Sequence, residues 1–547
     1  MKKSRIYLLG ISTGLILALA FPPMPMFLFA YIGFIPLLLA LEEKQFKKPF
    51  LLLYLTFFIY HGGTNWWISS WQAETDPYLM LSGFATWLMH PFFFFIPFGF
   101  YLFIRRRTNL NTALAAFPFV WTAYEWFHSL GDFSYPWLSI GYTQIYNKLW
   151  VQMADLGGVW LVTFCVVAVN VIIFKLLTVY REKRFEKGFF RSVLKDKYLH
   201  PLTDTLLLLI IVPLIYGYFR SEQFNHKDLI KNYELVRIGV IQPNIDPWKK
   251  WRGGVFEQIA KHKHIQDSLR FTVGKLDVAI WSETAIPFMN FDFNSSHQFS
   301  FLQNWIDTSG TSLLTGFTDI YFYNNRRTAP KTAKPLNQDS NRIYEAFNSA
   351  LFLNPSPNQN VQIYRKMKLT PFAERIPYEE YLLFLRKYIE WGVGISSWAK
   401  GREQIAFHLD NKGKKAGIGS IICIESIYPD FVRGFVLKGA NILTVITNDA
   451  WYNYTFGPEQ HFQIAAMRAI ETRRYIARCA NTGVSGFISP KGEAMDRLPQ
   501  YKTSALAYDI PALDEKSIYV KAGDWLPECS AGITFFLVFF AFFKKKK

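Results

Sequence analysis

The apolar, β-branched run from Gly417 to Ile422 ends on a cysteine, Cys423, followed two residues later by Glu425. Runs of this kind read as buried strands. A thiol where a strand gives way to the next element is placed to act as a nucleophile. A lone strand cysteine is more often a small buried hydrophobe than a reactive group, so its role turns on what else the chain supplies. Two further strand-like runs end on ionisable groups. Ala279-Ile280-Trp281-Ser282 leads to Glu283, and Tyr364-Arg365 leads to Lys366, with Glu374 following in the same segment. A carboxylate can take a thiol proton, and an ammonium can stabilise both a thiolate and the oxyanion of a tetrahedral intermediate. A second carboxylate can orient the lysine or shuttle protons. Together these groups are what acyl transfer through a Cys423 thioester requires.

Composition describes the elements around them. The chain has 547 residues, 50% hydrophobic and 18% aromatic, yet its mean hydropathy is only +0.08. A membrane portion joined to a polar globular portion gives that average. The net charge of +18 does not point to nucleic acid, because the lysines and arginines lie largely beside apolar segments, where they anchor to lipid and set topology. The four cysteines form no C-x-x-C pair, and no His/Cys cluster has metal spacing. Neither a disulfide framework, a metal site nor a cofactor is expected.

Apolar segments predict about eight membrane helices, over residues 6–21, 27–41, 49–70, 78–104, 110–127, 159–180, 202–219 and 531–543. The first lacks a small-residue cleavage site after it and reads as a retained helix. Basic clusters fall at 2–3, 44–48, 105–107, 181–197 and 544–547. They lie at the start and after the second, fourth, sixth and eighth segments. Positive charge marks the cytoplasmic side, so both termini are expected there, with the polar segment after the seventh helix outside. The outward loops 61–71 and 124–144 are rich in Trp and Tyr, as an interfacial belt or a lipid-facing gate would be. The expected division is 1–220 as a membrane domain, 221–515 as an extracytoplasmic domain, and 516–547 as a final helix with a basic tail.

Within the polar segment, strands are expected over 235–241, 276–281, 312–318, 349–353, 417–422, 441–447 and 475–480. Helices are expected over 260–270 and 458–474, and loops over 307–310 and 323–340. Such alternation predicts a layered α/β or α+β domain.

Trp281-Ser282-Glu283, Tyr364-Arg365-Lys366 with Pro371-Phe372-Ala373-Glu374, and Cys423-Ile424-Glu425 resemble the Glu–Lys–Cys motifs of the nitrilase (carbon–nitrogen hydrolase) superfamily. Three further stretches resemble the apolipoprotein N-acyltransferase family. They are Thr447-Asn448-Asp449-Ala450-Trp451, Gly457-Pro458-Glu459-Gln460-His461, and, in the membrane half, the stretch from Pro136 to Gln144. The resemblance covers nearly the whole chain. It implies an αββα sandwich outside the membrane, with Glu283 as general base, Lys366 as oxyanion stabiliser and Cys423 as nucleophile. Glu374 is implied as a supporting acid/base residue, and Trp251, Glu425 and Trp451 as candidate substrate contacts. The implied partners are a phospholipid acyl donor and a diacylglyceryl-modified apolipoprotein acceptor. The implied location is the periplasmic side of a bacterial inner membrane, and the implied state a monomer that binds no nucleic acid. Two departures stand out: Ala373 where the family commonly has glycine, and Ile424 where it often has an aromatic. A membrane-tethered amidase or nitrilase that passes the acyl group to water shares the same triad. A transporter or receptor would instead need charges inside the membrane, for which Glu125 is the main candidate.

Overall fold

A computed structural model of the chain describes residues 2–43, 46–70, 77–183, 199–250, 254–289, 297–336, 342–356, 360–384, 398–411 and 413–544. Trp251 and parts of the basic clusters at 44–48, 181–197 and 544–547 lie outside the described residues, as do Trp71 and part of the expected loop 323–340.

Among the described residues the strands build two sheets. The first contains β1 (Leu235–Gln242), β2 (Val278–Trp281), β3 (Ile286–Met289), β4 (Ser312–Tyr323), β5 (Lys334–Pro335), β6 (Ile343–Leu353) and β7 (Gln362–Arg365). The second contains β8 (Ala406–Asn411), β9 (Lys414–Ile422), β10 (Ile442–Thr447), β11 (Ile476–Ala480), β12 (Gly486–Ile488) and β13 (Ala494–Arg497). The last strand, β14 (Ser504–Pro511), returns to pair antiparallel with β1 and closes the edge of the first sheet. Parallel pairs β1–β2 and β2–β4 form the middle of one sheet, and β9–β10 and β10–β11 the middle of the other.

Period-two alternation explains why two sheets stack. Val278, Ile280, Ala350 and Phe352 face the interior shared with the second sheet. Ala279, Trp281, Leu351 and Leu353 face the opposite way, onto Ile259, Leu302 and Ile306 of the helices Val255–Val273 and His297–Ser309. Across the sandwich, Phe352 stacks on Phe407 with centroids 5.5 Å apart. The Cys479 sulfur lies 3.2 Å from the carbonyl oxygens of both Ile241 and Ile280, which share its one S–H donor. Two helices, Pro429–Leu437 and Phe456–Thr472, cover the second sheet. The nitrilase-like layering expected from the sequence is therefore present. The longer helix is buried from Gly457 onward on nearly every face, because the membrane half covers the side that the sheet does not.

Several expected boundaries move for local reasons. The expected loop 307–310 is instead the end of helix His297–Ser309, closed by Gly310 at φ +61°, the left-handed position that glycine fills without strain. The expected loop 323–340 contains β5, which pairs with β6, and β6 begins at Ile343 rather than 349. Strand β7 extends the short run at Tyr364-Arg365 back to Gln362, while β3, β8, β12, β13 and β14 and the helix Pro429–Leu437 were not expected at all.

Among the described residues, five helices are long and apolar enough to cross a bilayer: Lys3–Ala20, Leu79–Arg107, Trp150–Arg181, Leu199–Gln223 and Trp525–Phe543. The expected segment 27–41 is a turn of 3₁₀ helix followed by the short helix Ile35–Leu41. The expected 49–70 stops at Asn65 and continues as 3₁₀ helix Trp66–Ser69. The segment 78–104 tightens to 3₁₀ over His90–Phe94, where Pro91 removes a backbone donor. The carboxylate of Glu125 is held by uncharged groups: it accepts from the Trp121 indole at 2.7 Å, the Ile140 amide at 2.8 Å and the Thr163 hydroxyl at 2.8 Å. It brackets the helix Leu110–His128 to the outward loop.

Candidate active site

The reactive side chains lie where strands end. Cys423 follows β9 directly, at φ +52°. A non-glycine residue in this left-handed region costs about 1–3 kcal/mol and is held there only by its surroundings. One brace is Glu425, whose Oε2 accepts from the Ile422 amide at 2.9 Å. Its Oε1 accepts from the Tyr364 hydroxyl at 2.7 Å and from the amides of Met367 and Lys368 at 2.7 and 3.2 Å. One carboxylate thus ties the turn carrying Cys423 to the turn carrying Lys366.

Lys366 follows β7, and its ammonium lies between two carboxylates, 3.2 Å from Glu283 Oε1 and 2.8 Å from Glu374 Oε1. The Asn348 amide, on β6, donates to the same two oxygens at 2.8 and 3.2 Å. Glu374 Oε2 accepts from the Thr370 amide and hydroxyl at 2.8 and 2.9 Å. Glu283 follows β2 in a tight turn whose next residue, Thr284, has φ +48°. That turn presses on Gly316 of β4: a Cβ there would lie 2.4 Å from the Thr284 nitrogen and 2.7 Å from the Glu283 Cα.

Burial and charge divide the protons among these groups. Burial raises the Cys423 thiol far above an ordinary cysteine, and the neighbouring Glu283 charge adds to this while Lys366 opposes it. Burial works against the Lys366 charge, but Glu283 and Glu374 outweigh it and hold its pKa well above an ordinary lysine. Burial alone would raise Glu374, yet Lys366 and the Thr370 donors hold it below the usual carboxylate range. At rest the site therefore holds a protonated thiol near an ammonium that lies between Glu283 and Glu374.

These groups open into a cavity of about 210 Å³. It is lined by Glu283, Lys366, Glu374, Cys423 and Ile424 together with Trp451 and Tyr452. The membrane half contributes to the lining through Trp67, Ile68, Leu79, Tyr135 and Trp137. The structure thus brings Glu283, Lys366, Glu374 and Cys423 together from segments far apart in sequence. Trp451 lines the cavity as a substrate contact would. Trp251 lies outside the described residues, next to Lys250 and near Trp248, both of which line the cavity. Glu425 is a correction. It is fully buried, it is not among the residues that line the cavity, and its oxygens are engaged by the protein itself, so it braces the site rather than contacting substrate.

Sequence reading missed several residues. Asn348 was hidden because the expected strand began one residue later; a lone amide among Ala346, Phe347, Ala350 and Leu351 was the available signal. Lys250 is 3% exposed and donates to the Glu283 carbonyl at 2.9 Å and the Thr284 hydroxyl at 2.8 Å. Burial pushes it down to about 7, against the pull of the Glu283 charge. His461 Nε2 lies 3.1 Å from the Cys423 carbonyl oxygen and 2.7 Å from Ser426 Oγ. On its other side, Asp449 and Arg478 approach its Nδ1 at 3.1 and 2.9 Å. His461 belongs to the Gly457–His461 stretch, but nothing in the spacing said that it would support the nucleophile's turn.

Comparison with known proteins matches both halves. Residues 13–172 match the apolipoprotein N-acyltransferase N-terminal domain, and residues 237–516 the carbon–nitrogen hydrolase domain. An apolipoprotein N-acyltransferase of Chlorobaculum tepidum is 34% identical, over 99% of this chain and 98% of that protein. Those of Geobacter metallireducens and Pasteurella multocida are 27% and 28% identical, over 98% and 96% of this chain and 95% and 93% of theirs. With a hydrolase-type domain carrying a Glu–Lys–Cys constellation under a cavity walled by membrane-half aromatics, and with relatives matched end to end, the chain belongs to the apolipoprotein N-acyltransferase family.

Proposed function

We propose that this enzyme moves a fatty acyl chain from a membrane phospholipid to the α-amine of the diacylglyceryl-modified N-terminal cysteine of an apolipoprotein, through a thioester on Cys423. One observation carries the reading: Cys423, with Glu283, Lys366 and Glu374, lines a cavity to which Trp67, Tyr135 and Trp137 of the membrane half contribute a wall. A soluble hydrolase has no use for such a wall.

In the first half-reaction Glu283 accepts the Cys423 proton as sulfur attacks the ester carbonyl. A C–S bond forms and the carbonyl oxygen takes the negative charge, which the Lys366 ammonium offsets. Collapse breaks the ester C–O bond, and the leaving alkoxide takes the proton from Glu283 and departs as lysophospholipid. In the second half-reaction the acceptor's α-amine, whose ordinary pKa is about 8, attacks the thioester carbonyl. A C–N bond forms, the C–S bond breaks, and the amine's proton returns to sulfur by way of Glu283. Glu374 keeps Lys366 charged and aimed throughout. Two substrates using one site in turn give ping-pong kinetics.

The membrane half suits both substrates. Extracting an acyl chain into water costs about 0.8 kcal/mol per methylene, and a site at the bilayer surface avoids this. The alternation of basic and aromatic loops supports eight spans with both termini cytoplasmic and the catalytic domain on the periplasmic side. The division into 1–220, 221–515 and 516–547 is part of the same reading, supported by the end of one helix at Gln223, the start of β1 at Leu235 and the start of the last helix at Trp525. A monomer suffices for it, since this one chain supplies both walls of the cavity.

The test is a mass measurement on purified protein incubated with phospholipid. Wild type gains an acyl group that hydroxylamine removes, Cys423→Ala gains none, and Glu283→Gln acylates about 10²–10⁴-fold more slowly, the usual contribution of a general base. An adduct persisting in Cys423→Ala overturns the assignment. Transfer of the acyl group to water with an apolipoprotein acceptor present would favour the hydrolase reading.

A further inference from the structure

Gln460, on the buried helix Phe456–Thr472, is 1% exposed and joins parts of the membrane half that are remote in sequence. Its Nε2 donates to the carbonyls of Pro22 and Thr64, each at 2.9 Å. Its Oε1 accepts from the indole nitrogens of Trp67 at 3.0 Å and Trp137 at 2.8 Å. A primary amide has two N–H donors and two acceptor sites, and all are used. Indoles only donate and main-chain carbonyls only accept, so the partners dictate which way the amide faces. Glutamate would lose both donors, leucine would lose everything, and asparagine falls a methylene short.

The two indoles it holds are those of the cavity's membrane-side wall. Their rings lie 5.2 Å apart, and Trp137 is 5.5 Å from the imidazole of His461. One turn earlier, Gly457 lets Trp67 lie against the helix: a Cβ there would be 2.6 Å from the Trp67 ring. The next residue, His461, supports the Cys423 turn. Adjacent residues of one helix thus touch both the Cys423 turn and the two membrane-half indoles of the cavity.

We infer that Gln460 is a positioning residue for acyl-chain selection: it fixes Trp67 and Trp137 where the donor's acyl chain must pass, and takes no part in the chemistry at Cys423. The inference rests on the acyl-transfer reading above. A side chain that only set the wall would matter for a long chain and little for an acyl group too short to reach it.

The experiment uses the full-length protein in detergent micelles, with Gln460→Leu and Gln460→Glu beside wild type. Two donors are compared: phosphatidylethanolamines carrying a graded series of chain lengths, and p-nitrophenyl acetate. Acylation is read as the thioester mass and as the p-nitrophenolate burst, with Cys423→Ala as the blank. Both variants are expected to slow acylation by the longer phospholipids about tenfold or more, with a raised KM and a flattened chain-length preference, while the acetate burst changes less than about threefold. Trp137→Phe, which keeps an aromatic ring and removes one donor, is expected to shift chain-length preference in the same direction by a smaller factor. Equal losses with both donors, or an unchanged chain-length preference in all three variants, overturn the inference. Absence of a phospholipid-derived adduct on wild type would instead overturn the acyl-transfer reading beneath it.

Discussion

Replacing Lys250 by methionine tests the electrostatics of the catalytic turn. The ammonium is buried beside the Glu283 backbone, and burial pushes it down to about 7. In the unfolded chain the same lysine titrates near its ordinary value of about 10.4. Between those two values the unfolded chain binds more protons than the native one, so wild-type stability rises with pH across the window. The contribution is complete above the unfolded value and is lost as pH falls through the native value. From about pH 6 to about pH 9 one such group adds on the order of 2–3 kcal/mol. Methionine of similar length removes the titration. The stability of Lys250→Met relative to wild type is therefore expected to be most favourable at the acid end and to fall by that amount at the alkaline end. Urea unfolding in detergent micelles, followed by tryptophan fluorescence at both pH values, measures it. The turn meanwhile loses its two hydrogen bonds, so single-turnover acylation should slow at both. A stability difference that stays constant with pH would refute the assignment of Lys250 as a buried amine whose titration burial moves down to about 7.

Other substitutions probe how Glu283 is held. Gly316→Ala drives a methyl group into the Glu283–Thr284 backbone, which must move because backbone cannot rotate aside. Acylation is expected to fall at least about tenfold in single-turnover assays, a loss of about 1.4 kcal/mol of transition-state stabilisation, and wild-type rates would refute the contact. Asn348→Leu removes the amide that bridges Glu283 and Glu374 while keeping the shape. Hydrogen bonds to charged groups are worth about 1.5–3 kcal/mol, so the acylation rate should fall roughly 10–100-fold with the thioester still forming. An unchanged rate would mean that the two carboxylates are positioned without it.

Much of this protein is legible in sequence. Runs of apolar residues specify helices in lipid, because every backbone group must be satisfied within the segment. Basic residues beside them specify an expected orientation. Short β-branched runs mark the central strands β1, β2, β9, β10 and β11, which are buried on both faces and so lack polar alternation. Glu283 and Cys423 follow two of these strands, β2 and β9, whereas Lys366 and Glu374 stood out through the motifs they share with the nitrilase superfamily. Less visible were the edge strands β8 and β13, whose mixed polarity and short length resemble loops.

What only the tertiary structure decided is which groups share a hydrogen bond. Glu425, two residues from Cys423, looked like a substrate contact and proved to be a brace, because its oxygens meet donors from a turn some 60 residues earlier. Lys250 and Asn348 have unremarkable neighbours in sequence and become part of the site through contacts 33 and 65 residues along the chain. Gln460 reaches Pro22 across 438 residues. Periodicity reports which face of an element is buried, and a strand end reports where a reactive side chain can stand. Neither carries the register of one layer on another, and hydrogen-bond reach of about 3 Å depends on that register alone.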